Sequence, residues 1–339
     1  MQTSSNSAVI EDPQISARRI FNLVAPELAQ VEDEFERQAR SNIQVIAYIG
    51  DYLRASGGKR VRPALTILSN YAVGGDGSRH NSIRMATVME FLHTATLVHD
   101  DIIDKAETRR NRPSINSRFG NQTAVLMGDW LYMSAFETSL AERSLAILDI
   151  LTAVTRKMTE GELLQLTLLG DTSVTEDQYF DIITRKTAYL FSACCEIGAI
   201  LGGATKDDQC RLRDYGLNLG TAFQLVDDLL DFTASDESLG KPTGVDLLEG
   251  KLTLPLIYLI ESDPSARGSV QTVMADSGYD HISRAQLMDA LEDSGAIARA
   301  RQRAYEYAET ARAGLEGLAD SDYCEALRAI PSYIIERNR

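Results

Sequence analysis

Basic residues are scarce in this sequence: 34 Lys and Arg stand against 49 Asp and Glu, for a formal net charge of −15. That balance excludes the basic surface a nucleic-acid binder needs, and most of the acidity reads as a solubilising surface. Cysteine is almost as thin. The four are Cys194, Cys195, Cys210 and Cys324, with no C-x-x-C spacing among them. Buried free thiols in a reducing cytosol are the better reading of this pattern than disulfide or metal roles. Only eight prolines occur, and no sustained apolar–polar alternation is bounded by hairpin turns, so a β architecture is excluded. No apolar run approaches the roughly 18 residues that would span a membrane. The opening Met1–Ser7 has neither a basic nor an apolar region, which reads as a loose tail rather than a signal peptide. A soluble, cytoplasmic protein is expected.

What is present is helical periodicity, from about Ile15 to the end. Ile20, Leu23, Val24, Leu28, Val31 and Phe35 recur at three- and four-residue spacing, as one face of an amphipathic helix does. Further helices are expected at Pro63–Val73, Ser82–Asp104, Asn121–Leu140, Leu145–Leu169, Thr175–Leu201 and Lys206–Phe232. A long loop follows over Thr233–Gly250, the core resumes at Leu252–Ile260, and two or three ordinary amphipathic helices complete the chain. No composition shift divides it. The expectation is an all-α, single-domain bundle, with residues 1–14 a flexible tail and 15–339 one domain.

Two near copies stand out on this background: Leu97-Val98-His99-Asp100-Asp101-Ile102-Ile103-Asp104 and Leu225-Val226-Asp227-Asp228-Leu229-Leu230-Asp231. Each is an apolar run carrying D-D-x-x-D. On a helix, residues four apart share a face, so Asp100 and Asp104 point the same way, with Asp101 at the edge, and the second copy repeats the pattern. Like charges at that spacing cost an isolated helix about 0.2–0.5 kcal/mol per pair. Buried without partners they would cost far more, so the six carboxylates call for cations. Hard oxygen donors that leave room for a substrate phosphate suit Mg2+. Two facing helices holding a polynuclear Mg2+–diphosphate site are the reading that follows.

The cations that such a site needs lie nearby in the sequence. Ser56-Gly57-Gly58-Lys59-Arg60-Val61-Arg62-Pro63 places three positive charges beside a proline suited to a helix's first turn, a ready anion site. A solvated basic turn is the plain alternative. His93 sits two turns before Asp100 on the same face. After the first cluster come Arg109 and Arg110, either surface partners of the acids or phosphate ligands at the mouth of the site. After the second comes a glycine-rich stretch with Lys241 and Lys251, suited to a lid closing over phosphates, with a loose surface connection as the plain alternative.

Together these residues resemble the trans-isoprenyl diphosphate synthases, or polyprenyl synthetases, most clearly over residues 40–260. The resemblance rests on both aspartate clusters, Gly-Gly-Lys-Arg-x-Arg-Pro upstream, the arginine pair after the first cluster, and Gly-Lys…Gly-x-Asp…Gly-Lys-x-Thr-Leu-Pro after the second. It implies long antiparallel helices around a deep central cleft, usually in a homodimer. It also implies that Lys59, Arg62 and His93, with Arg110 assisting and Arg60 in the same motif, bind isopentenyl diphosphate. Arg109, Lys186, Thr187, Gln224, Lys241 and Lys251 would hold an allylic prenyl diphosphate. Asp100, Asp104 and Asp227 would be the main Mg2+ ligands, with Asp101, Asp228 and Asp231 ligating directly or through water. Three Mg2+ per loaded site are implied, with Mn2+ able to substitute. Asn111 stands where the family commonly has Gly, a residue that still tolerates left-handed backbone.

The implied reaction ionises the allylic C–O bond, condenses the cation with isopentenyl diphosphate and eliminates a proton. Five and four residues before Asp100 stand Ala95 and Thr96, both small. In the family a bulky aromatic there stops chain growth early, so a long-chain all-trans product of about C30 to C50, of the octaprenyl or solanesyl type, is expected from the room these side chains leave. Leu92, Trp130, Met133 or Phe136 would form the floor. Farnesyl- or geranylgeranyl-length product is the alternative. A class I terpene cyclase would lack the second aspartate cluster and the Gly-Gly-Lys-Arg motif. A non-catalytic partner subunit would have lost acids that this chain keeps. A peripheral membrane contact could receive the water-insoluble product.

Overall fold

Apart from Ser192 and Glu196 the segment Tyr189–Leu201 is apolar, and a helix of that kind is stable only when other helices surround it. In the computed structural model it is the central helix of the fold. The structure describes residues 19–39, 43, 46–48, 60–109, 112–233 and 244–336. Lys59, Arg110 and Lys241 therefore lie outside the described residues, as do Gly57, Gly58, Asn111 and the tail expected over 1–14.

The described elements, in chain order, are helices α1 (Ala25–Gln38), α2 (Val61–Ala72) and α3 (His80–Ile103), a two-residue hairpin of β1 (Thr108–Arg109) and β2 (Arg112–Pro113), then α4 (Ile115–Phe119), α5 (Asn121–Leu140), α6 (Leu145–Thr167) and α7 (Glu176–Ile183). A π-helical turn over Thr184–Ala188 joins α7 to α8 (Tyr189–Leu201). Then follow α9 (Lys206–Thr233), the short α10 (Val245–Leu248), α11 (Leu254–Ser262), α12 (Ala266–Asp276), α13 (Arg284–Asp293), α14 (Ala296–Gly314) and α15 (Asp322–Glu336). Each helix expected between Pro63 and Phe232 is present, and several boundaries coincide with their local signals. Thr175 and Gln178 form a reciprocal capping box at the start of α7. Two expectations need correction. The end of the chain holds four helices rather than two or three. The run expected as one helix over Thr175–Leu201 is interrupted by the π turn.

Helix α8 packs against α2, α3, α6 and α9, and glycines make the close approaches possible. A Cβ at Gly198 would lie 2.2 Å from the Thr66 carbonyl oxygen on α2, and one at Gly216 would lie 2.6 Å from the Phe191 carbonyl oxygen. Cys194 and Cys195 are fully buried in this helix, with burial pushing the Cys194 thiol up to about 12; Cys324 is buried too, but Cys210 is exposed, contrary to expectation. Helices α3 and α9, which carry the two acidic clusters, both lean on α8 without packing extensively on one another. A cleft is left between their charged ends. Among the described residues no helix is long and apolar enough to cross a membrane.

Candidate active site

Adjacent residues on a helix lie about 100° apart, so neighbouring aspartates cannot both face the same way. Each acidic cluster divides accordingly. Asp101 is 3% exposed and accepts both Nε and Nη2 of Arg109, at 2.7 and 2.6 Å. Asp228 is 5% exposed and accepts the Tyr179 hydroxyl at 2.5 Å and Gln224 Nε2 at 2.7 Å. Their neighbours are more open: Asp100 and Asp104 are half-buried, and Asp227 is exposed. The last acid of the second copy, Asp231, is buried and accepts the backbone N–H groups of Val245 and Asp246 at 3.3 and 3.1 Å, capping α10.

Cations reach this site from three directions. Lys251 Nζ, on the segment after α10, lies 3.5 Å from Asp104 Oδ1 and 2.6 Å from Glu249 Oε2, bridging from the second cluster's wall to the first. Asp246, Asp104 and Glu249 hold its ammonium above the usual lysine range in spite of its burial. Lys186 lies on the π turn, where its Nζ meets Glu162 Oε2 at 2.5 Å and Gln165 Oε1 at 3.0 Å on α6. Gly161 lets the two elements meet: a Cβ there would lie 2.6 Å from Arg185 Cβ and 3.0 Å from Lys186 N. Thr187, next on the turn, donates to Gln224 Oε1 at 2.8 Å. Arg109, the third cation, is delivered by the β1–β2 hairpin, whose base Ser114 Oγ and Asn116 Nδ2 fasten to the Ala106 carbonyl at 2.6 and 3.1 Å.

The carboxyls register this crowding. Burial pushes Asp100 up to about 7; Lys186 and Arg109 oppose that rise, while Glu162 and Asp104 add to it. Burial also raises Asp228, assisted by Asp246 and opposed by its bonds from Tyr179 and Gln224. Acids held above their ordinary range by burial and by one another form a donor set short of positive charge, which a divalent cation would supply. Among the described residues no three His, Cys, Asp or Glu side chains are close enough to hold an ion by themselves.

The upstream basic motif separates into different environments. Arg60, in left-handed backbone at φ 47°, turns its guanidinium to Glu90 Oε1 at 2.6 Å and Glu32 Oε1 at 3.3 Å. Arg62 stacks over the Phe191 ring at 4.8 Å. His93 is half-buried on α3, and its carbonyl accepts the Thr96 hydroxyl at 2.7 Å. Ala95 and Leu92 are fully buried and Trp130 and Phe136 partly so, whereas Met133, one of the expected floor residues, is 61% exposed on the outer face of α5. Glu90, Glu162, Gln165, Tyr179 and Asp246 were not among the residues expected from the sequence. Gly161 beside Glu162 and the Gly-x-Asp ending at Asp246 were available signals. Tyr179 offered none.

Known proteins agree with this picture. The polyprenyl synthetase family model matches residues 43–291. The chain is 38% identical to octaprenyl diphosphate synthase of Escherichia coli (strain K12), over 96% of this chain and all of that one. A decaprenyl diphosphate synthase structure from Rhodobacter capsulatus superposes with a TM-score of 0.88 at 34% identity, covering 95% of this chain and 99% of that one. A polyprenyl synthase from Caulobacter crescentus CB15, complexed with calcium and isoprenyl diphosphate, gives a TM-score of 0.90 at 34% identity over 95% and 98% of the two chains.

Proposed function

Since the chain belongs to the polyprenyl synthetase family, whose relatives at this similarity are prenyltransferases, we propose that it condenses isopentenyl diphosphate head to tail onto an allylic prenyl diphosphate. The observation that carries this reading is the pair of acidic walls, with Lys251 reaching from the second to Asp104 of the first and the charge of Lys186, held on Glu162 and Gln165, acting on Asp100. Oxygens of a diphosphate would complete the shell of an ion held by these carboxylates. Asp100, Asp104 and Asp227 are the carboxylates proposed to take Mg2+ directly. Asp101, Asp228 and Asp231, already engaged by protein donors, are proposed to hold the ligating aspartates and the lid in place, or to act through water. Bound Mg2+ would neutralise charge developing on the departing diphosphate.

The protein's own part is positioning and exclusion of water. Lys186, Thr187, Gln224, Lys251 and Arg109 are proposed to grip the allylic diphosphate, with Lys241 joining from the preceding loop. Lys59, Arg62, His93 and Arg110 are proposed to hold isopentenyl diphosphate, bringing its double bond to the ionising carbon. Arg60, given over to Glu90 and Glu32, is assigned to holding that motif in place. The growing tail passes small, buried Ala95 and half-buried Thr96, and a long-chain all-trans product of about C30 to C50 follows from that passage.

A homodimer is proposed as the working form, in the cytoplasm. Leu126, Met133 and Leu140 recur every seven residues along α5 at 68, 61 and 50% exposure, and Leu145 and Leu163 on α6 are 77 and 59% exposed. A set of exposed apolar side chains on two consecutive helices is what a second copy would cover.

Product analysis tests the reading. Purified protein is given Mg2+, labelled isopentenyl diphosphate and allylic primers of increasing length, with Asp100→Ala and Asp227→Ala as controls. A ladder reaching C30 or beyond, lost in both variants, is expected; Ala95→Tyr should shorten it. A stop at C20 would leave the chemistry standing and sink the tail path.

A further inference from the structure

Tyr179 is fully enclosed, eight residues before Thr187 along the continuous run of α7 and the π turn, and the two are joined by more than the backbone. The Tyr179 hydroxyl donates to Asp228 Oδ2 at 2.5 Å, Gln224 Nε2 donates to Asp228 Oδ1 at 2.7 Å, and the Thr187 hydroxyl donates to Gln224 Oε1 at 2.8 Å. Both oxygens of Asp228 are therefore occupied. The amide of Gln224 is oriented at both ends: its N–H end faces a carboxylate, so its oxygen faces Thr187. The chain of bonds ties α7 to α9 on one side and α9 to the π turn on the other.

We propose that Tyr179 is a positioning residue for the allylic diphosphate: acting through Asp228 and Gln224, it sets the placement of Thr187 and of the π turn that carries Lys186. The proposal rests on the reading above, in which that turn grips the allylic diphosphate. A π turn is a rare departure from α geometry, found mostly as a single turn within a longer helix and frequently at functional sites. Here Gly161 admits it on the α6 side, and the Tyr179–Asp228–Gln224 chain anchors it on the α9 side. Without the phenolic O–H, Asp228 is left with one protein donor and a buried, uncompensated oxygen. Gln224 then loses the fixed partner that orients it. A tyrosine that merely filled the core would be replaced by phenylalanine with an effect on stability alone.

Steady-state kinetics on Tyr179→Phe, Thr187→Val and the double variant decide the matter. Tyr179→Phe should raise KM for the allylic diphosphate about tenfold, leaving KM for isopentenyl diphosphate within about twofold of wild type. Because the effect travels through Thr187, the double variant should match Thr187→Val rather than multiply the two losses. Unchanged KM values, losses shared equally by both substrates, or multiplied effects would overturn the proposal. If Tyr179→Phe gives no cooperative melting transition, Asp228→Asn is judged by the same cycle. It should reproduce the selective KM rise at an unchanged Mg2+ half-saturation, whereas a shifted Mg2+ requirement would make Asp228 an ion ligand and refute the positioning role. A wild-type protein inert toward both substrates is a separate result, which sinks the parent reading and this one with it.

Discussion

Asp100 binds its proton more tightly in the folded chain than a free aspartate does, because burial and the neighbouring Glu162 and Asp104 lift its carboxyl to about 7 against only partial relief from Lys186 and Arg109. A raised carboxyl contributes stability while it is protonated, and that contribution is lost as pH rises from the unfolded value near 3.8 through about 7. Without metal, Asp100→Asn should therefore gain on wild type in melting temperature across that window, and the difference should level off above it. Mg2+ at pH 8 should narrow the gap by stabilising wild type, while turnover by the variant falls at least about 100-fold. A difference independent of pH would show that Asp100 is not the strained acid. At this scale the acids themselves were legible, since two D-D-x-x-D runs in apolar segments need an explanation. Which member of each pair turns inward was not. Asp228 finds Tyr179 at a sequence distance of 49 residues, and no local pattern reports a partner chosen by tertiary packing.

The helices α5 and α9 were legible almost to the residue, because apolar periodicity and turn residues bound them on both sides. The run from Thr175 to Leu201 was legible as helix but not as a helix with a π turn, since Thr184–Ala188 has no composition that sets it apart. What accommodates it lies on another element, where Gly161 leaves room for Arg185 and Lys186. Gly161→Val should push the turn away and move Lys186 off Glu162 and Gln165. Expected is a loss of about 100-fold in kcat/KM with the allylic substrate, of the size that a misplacement of about 1 Å produces, in a protein that still folds. Circular dichroism with kinetics would check it, and wild-type activity would show that the turn tolerates displacement. The hairpin Thr108–Pro113 escaped the sequence reading for a different reason: two residues per strand are too short to alternate.

At the scale of the whole molecule, the outer faces of α5 and α6 carry most of the large exposed apolar side chains among the described residues. Met133→Glu and Leu126→Glu, made together, should convert a dimer to monomers in sedimentation measurements without lowering the helix content. A wild-type monomer at micromolar concentration would remove that face from consideration. Met133 was expected inside the molecule as a floor for the product; its seven-residue register with Leu126 and Leu140 was visible in the sequence, but periodicity alone cannot say whether a stripe faces its own core or a second chain. The ammonium of Lys251 on Asp104 has a consequence of its own. A divalent ion at Asp104 would compete with that ammonium for the carboxylate, and a phosphate would draw the ammonium away. Ion and anion uptake are then one exchange, and reciprocity requires each to strengthen the other by the same factor. Calorimetric titration of Mg2+ with and without inorganic diphosphate should show that coupling in wild type. Lys251→Met should take up Mg2+ more tightly alone yet gain less from the anion, as a site that has lost its internal competitor must.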